Sequence, residues 1–512
     1  MEDNKVLVAV AAGVLLIVLA KLKSLFAAKP KLRLPPGPWT LPVIGSIHHL
    51  VTSPPLLYRT LRVLSRKHGP LMMLRVGEVP MLVVSSAEAA EAVLKTHDTS
   101  FADRFASATL AAITYDQTDL GLAPYGERWR QLRKICVLEL LSAARVQTFR
   151  SIREEEVALF MDSLASSASA SSGAAVVDLS QGIKRLINDA FMRACVGSRC
   201  KYQDEYLHAF HEAVRLTSGL TLADLFPSSR LMQAIGTAPR RALALREKMQ
   251  RILEEIMRET KAAMERGDKV ARDSFLGVLL TLQKQGTTSV DLNNETISSL
   301  LFDLFGAGSD TSSSVMIWCM TELIRNPAVM AKVQAEVREA FKGKTRITED
   351  DLTKVDLSYL KLVLKESMRL HTHLPFLLPR QCRETCQVMG YDIPKGTAVF
   401  VNAWAIARDP KYWEDGDEFK PERFLNKDLD FKGTNYEFIP FGSGRRMCPG
   451  ANLGLANINL ALVSLLYHFD WKLPDGMEPK DVDTCEAVGL IAVKKTSLML
   501  HPVTRIAPAN DG

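Results

Sequence analysis

The stretch of this chain best equipped for chemistry is Phe441-Gly442-Ser443-Gly444-Arg445-Arg446-Met447-Cys448-Pro449-Gly450. It sets a single cysteine among glycines, directly after a pair of arginines. Glycines permit a tight loop and let backbone approach a flat ligand closely. Amides aimed at the sulfur and cations beside it favour thiolate over thiol. Such a sulfur suits metal ligation, although the bare Cys-Pro-Gly also fits a buried structural thiol. Zinc is disfavoured, because no second cysteine or histidine lies near Cys448 at ligand spacing. Cys382 and Cys386 are closer together but lack partners, and read as ordinary thiols.

A second candidate is Leu300 to Ser314, LLFDLFGAGSDTSSS. Leu300, Leu304, Ala307, Thr311 and Val315 recur at three- and four-residue spacing, which puts them on one helical face. Gly306, Ala307 and Gly308 leave its middle without bulk, and interior glycines cost about 1 kcal/mol each. That expense predicts something large and flat passing close by, with the acid–alcohol pair Asp310-Thr311 beside the gap. A small-residue packing seam is the plainer alternative. A phosphate loop is not, because no Gly-Lys-Ser/Thr follows. Glu366 and Arg369 stand three apart on one helical face, by spacing alone an ordinary surface pair. Trp129 and Arg133 share a face of a helix running from about Glu127, among the basic residues Arg128, Arg130 and Lys134. His48-His49, and His371 with His373, have no third ligand at metal spacing and read as surface or core histidines.

These residues need a mainly helical body to position them. Leu71–Val76 and Pro80–Val84 read as strands of a hairpin around Gly77-Glu78. From Ala87 onward helical periodicity dominates, and after Arg380 short strands and turns take over, including Tyr391–Gly396. The fold class is mainly α with a minor β subdomain. Ala165–Ala175 has no apolar face and reads as a solvated loop, and the segment ending Asp224-Leu225-Phe226-Pro227 as a mobile lid. The chain has 512 residues, 47% hydrophobic and 24% charged, the balance of an ordinary globular protein. Its net charge of +6 is too small and dispersed to argue for nucleic acid. The cysteines are too sparse for a disulfide-stapled domain.

Residues 1–28 read as an uncleaved transmembrane anchor, built on the apolar run Val6 to Ala20. Glu2 and Asp3 precede the run, while Lys21, Lys23, Lys29, Lys31 and Arg33 follow it. A signal peptide would carry the opposite order, and the positive-inside rule leaves the body in the cytosol. Residues 29–46, with Leu34-Pro35-Pro36-Gly37-Pro38, read as a basic and proline-rich hinge, a stiff spacer. Residues 47–512 read as one large globular domain.

The spacing Phe-x-x-Gly-x-Arg-x-Cys-x-Gly over Phe441–Gly450 resembles the haem-thiolate loop of the cytochrome P-450 family, and the likeness extends along the whole chain. The PPGP hinge and the form of the cysteine loop resemble the plant A-type branch, clan 71. The resemblance implies a P-450 fold, a single large domain behind the anchor, with haem b held by Cys448 as axial iron ligand. It places Asp310 and Thr311 in proton relay during oxygen activation. It assigns Trp129, Arg133, Arg380 and Arg446 to the haem propionates, and adds Phe441 and Gly450 to the cofactor loop. Glu366, Arg369 and Arg423 become a buried structural triad. The implied substrate wall is Leu300, Leu304, Ala307, Leu374, Phe376, Leu377, Val488 and Leu490. Where the branch often has Pro-Pro, this chain has Thr372-His373.

The implied activity is a monooxygenase of the endoplasmic reticulum membrane, single-pass and facing the cytosol. Electrons come from NADPH through NADPH-cytochrome P-450 reductase, with cytochrome b5 as a further partner, since the chain has no nicotinamide or flavin fingerprint. An uncharged, largely aliphatic wall favours a sesquiterpenoid or diterpenoid substrate. Phenolic or oxime substrates are the alternative, and would need His373 or Thr372 turned inward as a donor. A haem-thiolate isomerase or dehydratase, and a non-catalytic haem sensor, are the remaining readings; Asp310-Thr311 argues against the isomerase.

Overall fold

A helix of 32 residues, Asn294–Arg325, runs through the interior. Asn293 caps it, the Thr296 amide donating to its side chain at 2.9 Å. Apolar or small residues occur around most of its circumference, so it is buried rather than amphipathic. Its first half packs with Leu132, Phe210 and Phe275 in one core, and its second half with Leu360, Val363 and Leu462 in another. Each fully buried Leu or Phe contributes about 1.5–3 kcal/mol to holding this axis in place. This computed structural model describes residues 32–51, 56–170, 176–217 and 221–508. The anchor expected over 1–28 lies outside the described residues, and among those described no helix is long and apolar enough to cross a membrane.

The strands are short. β1 (Leu71–Val76) and β2 (Val79–Val84) form the expected hairpin, with Val76 opposite Val79. β3 (Asp103–Arg104) and β4 (Val177–Asp178) follow. After the helix Ser358–Leu370 come β5 (Arg380–Gln381), β6 (Cys386–Val388), β7 (Tyr391–Ile393) and β8 (Ala398–Val401). β9 (Phe469–Lys472) and β10 (Met499–Thr504) come last. One sheet has the order β1-β2-β8-β5-β3, so β3 and β5 meet at its edge with Arg104 opposite Arg380. β4, β10 and β9 form a second sheet, and β6 pairs with β7 alone.

Some expectations from sequence are corrected here. The helix Arg150–Ala170 runs through most of the low-complexity segment read as a loop. Alanine is the best helix former, and the serines there bond back along the helix, Ser167 to the Ser163 carbonyl and Ser169 to that of Ala165, each at 2.9 Å. Residues 171–175 lie outside the described residues. The described end of the lid is pinned rather than free. The Glu78 amide donates to the Leu225 carbonyl at 2.9 Å, and the Glu78 carboxylate accepts from the Ser228 amide and hydroxyl at 3.0 and 2.7 Å.

The proline-rich segment does not stand clear as a spacer over its described part. The Met73 amide donates to the Pro36 carbonyl at 2.9 Å, and the Arg33 carbonyl accepts the Asp392 amide while the Arg33 amide donates to the Asp392 carboxylate. Gly37 lies so close to β1 that a side chain would collide with the Met73 carbonyl oxygen. Gly37→Ala is therefore expected to destabilise the fold by ~1–3 kcal/mol, the usual cost of overpacking. A lowered thermal midpoint in a melt of the purified protein checks this; an unchanged midpoint would show that the segment yields freely.

Candidate active site

The cysteine sits in a loop that closes on itself just before the helix Ala451–His468. Gly442 and Gly444 adopt φ of 72° and 70°, where a side chain is strained. The Cys448 amide donates to the Phe441 carbonyl at 2.9 Å. Cys448 has accessible surface, yet the surrounding protein is the main influence on its thiol, so the sulfur lines an internal space. Burial pushes the thiol up, against the pull of the Gly450 amide and the Arg133 guanidinium. The expected bias toward thiolate is thereby corrected: the amide and a cation are present, and dehydration outweighs them. A sulfur in this state loses its proton on coordinating a metal rather than to water.

Buried positive charge gathers beside the loop. Arg446 donates to the carbonyls of Ala102 and Ala123 at 2.9 and 2.5 Å and lies 4.2 Å from the centre of the Trp129 ring. Trp129 donates its indole N–H to the Leu120 carbonyl at 3.0 Å, and Arg133 reaches the Met447 carbonyl at 2.6 Å; both stand on the expected helix, Glu127–Ile135. Arg380 pairs with Asp98 at 3.0 Å and donates to the Ser443 carbonyl. Sequence reasoning missed Arg104, which donates to Gly121 and Leu378 carbonyls at 2.9 and 2.7 Å. Its only signal was an Asp-Arg pair set between phenylalanines in Phe101–Phe105. Burial and mutual repulsion hold these guanidiniums down, Arg446 to about 9 and Arg104 well below its ordinary value. Carbonyl dipoles do not cancel a charge, and Asp98 is shared with Arg445. The cluster therefore fits a ligand bearing carboxylates, as haem does.

The central helix carries the other expected site residues. Ala307 is exposed, and the Thr311 hydroxyl donates to its carbonyl at 2.5 Å. A side chain on Gly454 would stand 3.5 Å from Ser312, so the helix after the cysteine crosses just beyond Thr311. The flat objects passing Gly306 and Gly308 are rings of this protein: side chains there would collide with Phe210 and Phe191. Of the three small residues, Ala307 alone is exposed. Asp310 points elsewhere, into a cleft of about 900 Å³ behind the helix, where it lies 3.2 Å from His211.

The profile of the cytochrome P450 family matches residues 35–500. The chain belongs to the cytochrome P450 family. It is 64% identical to a dolabradiene monooxygenase of Zea mays and 64% identical to a zealexin A1 synthase of the same plant, over the full length of each chain. It is 56% identical to an ent-cassadiene hydroxylase of Oryza sativa subsp. japonica, over 100% of this chain and 99% of the other. Within the family it groups with the plant clan 71. As a member it is a haem-thiolate, oxygen-dependent oxidoreductase that takes electrons from a reductase.

The remaining site residues fall into distinct environments. Glu366 and Arg369 are fully buried, joined at 2.7 and 2.9 Å, and Arg423 reaches Glu366 at 2.8 Å. Arg369 also donates to the carbonyls of Ala407, Gly416 and Glu418. Of the substrate-wall positions, Leu300 and Leu304 lie in the core around Phe305, with Leu300 fully buried. Phe376 packs edge-on against Phe400, half-buried Leu374 accepts the Leu377 amide at 2.9 Å, and Leu377 takes φ of 53° close to Gly442. Val488 and Leu490 line the cleft that Asp310 faces. Thr372 donates to the Arg369 carbonyl, and burial pushes the His373 imidazole down to about 3. His371 stacks on Trp318 and bonds Glu322 at 2.8 Å, a core histidine.

Glu366→Ala strands Arg369 and Arg423 without their shared carboxylate, at a cost of ~3–5 kcal/mol. Expression is expected to yield little haem-loaded protein, read as the ratio of Soret to protein absorbance. A normal yield of the loaded form would show that the carbonyl partners suffice.

Proposed function

We propose that this protein inserts one oxygen atom of O₂ into a sesquiterpenoid or diterpenoid of plant specialised metabolism, the other atom leaving as water. The observation that carries the reading is the dehydrated Cys448 beside an arginine cluster short of negative charge; in this reading Ala307 and Thr311 face the cofactor from the central helix. Three relatives named for dolabradiene, zealexin A1 and ent-cassadiene support the terpenoid class. Bound haem supplies the oxygen activation, which a thiolate ligand favours. In this reading Cys448 ligates the iron, with the Gly450 amide at the sulfur and Phe441 closing the loop. Trp129, Arg133, Arg380, Arg446 and Arg104 take the propionates.

Thr311 holds a proton at its Oγ1, kept in place by the Ala307 carbonyl. Asp310, on the cleft side, gives that proton an exchange route to bulk water, with His211 as its neighbour. Apolar positions such as Leu304, Ala307, Leu374, Phe376 and Leu377 exclude water and stabilise a hydrocarbon by ~25 cal/mol per Å² buried. Thr372, already bonded to Arg369, is not turned toward a polar substrate. Residues 1–28 anchor the chain by a single pass in the endoplasmic reticulum membrane, with the body in the cytosol. The reductase, and cytochrome b5, dock near the exposed Arg130 and Lys134 on the helix that carries Trp129 and Arg133.

The reading is tested with microsomes of a reductase-expressing host, supplied with diterpene and sesquiterpene hydrocarbons or with amino-acid-derived oximes. Hydroxylated terpene with matching NADPH consumption is expected. Turnover of oximes alone would overturn the substrate class, product without NADPH would point to an isomerase, and haem binding without turnover to a sensor. Cys448→Ser is expected to abolish the reduced-CO thiolate spectrum and all turnover; a retained spectrum would move the ligand elsewhere. Thr311→Ala is expected to keep the spectrum while diverting NADPH to hydrogen peroxide, with product formation lowered by up to ~10²–10⁴-fold. Unchanged coupling would make Thr311 a packing residue.

A further inference from the structure

One acidic pair, Asp119 buried and Asp303 half-buried, has no part in the proposed chemistry. Asp303 projects from the central helix, and its carboxylate accepts the amides of Leu120 and Gly121 at 2.6 and 3.0 Å. Asp119, fully buried, accepts the Leu122 amide at 3.2 Å and lies beside Asp303: a side chain on Gly121 would stand 3.2 Å from an Asp303 carboxylate oxygen and 3.8 Å from one of Asp119. Carboxylates this close cannot both ionise, so one of them keeps a proton and donates it to the other. The peptide units they grip matter. The carbonyl of Leu120 accepts from Trp129 and Arg446, and that of Gly121 accepts from Arg104 at 2.9 Å. The amide ends of this loop are thus tied to the central helix, and its carbonyl ends hold the residues proposed to hold the propionates.

We propose that Asp119 and Asp303 are positioning residues: joined by one shared proton, they latch the loop Asp119–Leu122 to the central helix and so fix the cationic cradle for haem. This rests on the reading that the cradle holds the propionates. Asp303 is the ionised partner, since it takes the two amides, and Asp119 carries the proton. Burial and the neighbouring carboxylate hold Asp119 well above its ordinary value, and burial raises Asp303 to about 6. The groups facing the pair are Arg104 from β3, Arg446 from the cysteine loop, Cys136 after the helix Glu127–Ile135, and Tyr206 from the helix Gln203–Thr217. Arg128 touches the loop next door, at the Thr118 carbonyl.

The sign follows from the raised Asp119. The contribution of its proton is complete in acid and is lost as pH rises through its folded value. Above that point the two carboxylates repel, and Asp119 competes with the cofactor's carboxylates for Arg104 and Arg446. Both effects release haem.

The test follows two readouts of the haem-loaded protein between pH 6 and 10: transfer of haem to excess apomyoglobin, and hydrogen exchange at the Leu120 and Gly121 amides corrected for the intrinsic rate. Opening releases the Asp119 proton, so the opening equilibrium grows ~10-fold per pH unit up to the raised folded pKa of Asp119 and levels off above it; both readouts are expected to rise with that slope and then flatten. Asp119→Asn supplies a permanent donor to Asp303, so it should retain haem at neutral pH and abolish the slope in both. Asp119→Ala, which cannot donate, should release haem quickly at every pH. Equal slopes in the native protein and Asp119→Asn, or no slope in exchange, would overturn the latch. A slope in exchange with none in haem transfer would leave the latch standing and overturn the reading of the cradle.

Discussion

Positive charge in a dry interior constrains this structure more than any other feature. Arg104 and Arg380 face each other across the edge of the main sheet, with Arg446 and Arg133 brought in from the cysteine loop and a neighbouring helix. Each buried ion costs several kcal/mol in lost hydration. The local chain is shaped to offset that cost: carbonyls of Ala102, Gly121, Ala123, Leu378, Ser443 and Met447 all turn toward guanidiniums. Dipoles alone leave the charge unbalanced. In the proposed reading a cofactor with two carboxylates completes the electrostatics, so that binding and folding would share the same interactions.

The Glu366 cluster treats the same problem differently. There Arg369 and Arg423 meet a fully buried carboxylate and a ring of carbonyls, and the Lys420 amide takes a further place on Glu366. That node shares one carboxylate between two guanidiniums, the surplus charge lying on Arg423, which is half-buried and reaches toward the surface. It joins the helix Ser358–Leu370 to the segment before the cysteine loop, and it needs no ligand. The contrast between a satisfied cluster and an unsatisfied one separates a structural joint from a binding site within one interior.

The central helix divides its polar residues between opposite sides. Thr311 bonds back to Ala307, which is exposed, whereas Asp310 lines the cleft with His211; in the proposed reading the Thr311 side is the one that meets the cofactor. Neighbouring residues on a helix point about 100° apart, so one Asp-Thr dipeptide spans the wall between a dry cavity and water. Gly306 and Gly308 let Phe210 and Phe191 seat against the helix. Those contacts hold the axis rigid where Thr311 must be aimed.

What the sequence determined by itself was local. The cysteine loop, the capped and buried helix, the β1–β2 hairpin and the helix with Trp129 and Arg133 are each written in contiguous residues, because turn chemistry and periodicity act over a few positions. The family signature and the identity of the implied cofactor lay within one such segment, Phe441–Gly450. Tertiary structure decided whatever depends on partners distant in the chain. It made Glu366 and Arg369 buried rather than superficial, brought Arg104 opposite Arg380, and joined Asp119 to Asp303. It turned the glycines toward phenylalanine rings, pinned the lid to Glu78, and raised the Cys448 thiol that its neighbours alone would have lowered. Burial and charge balance are sums over the surrounding volume, and no window of sequence contains that volume.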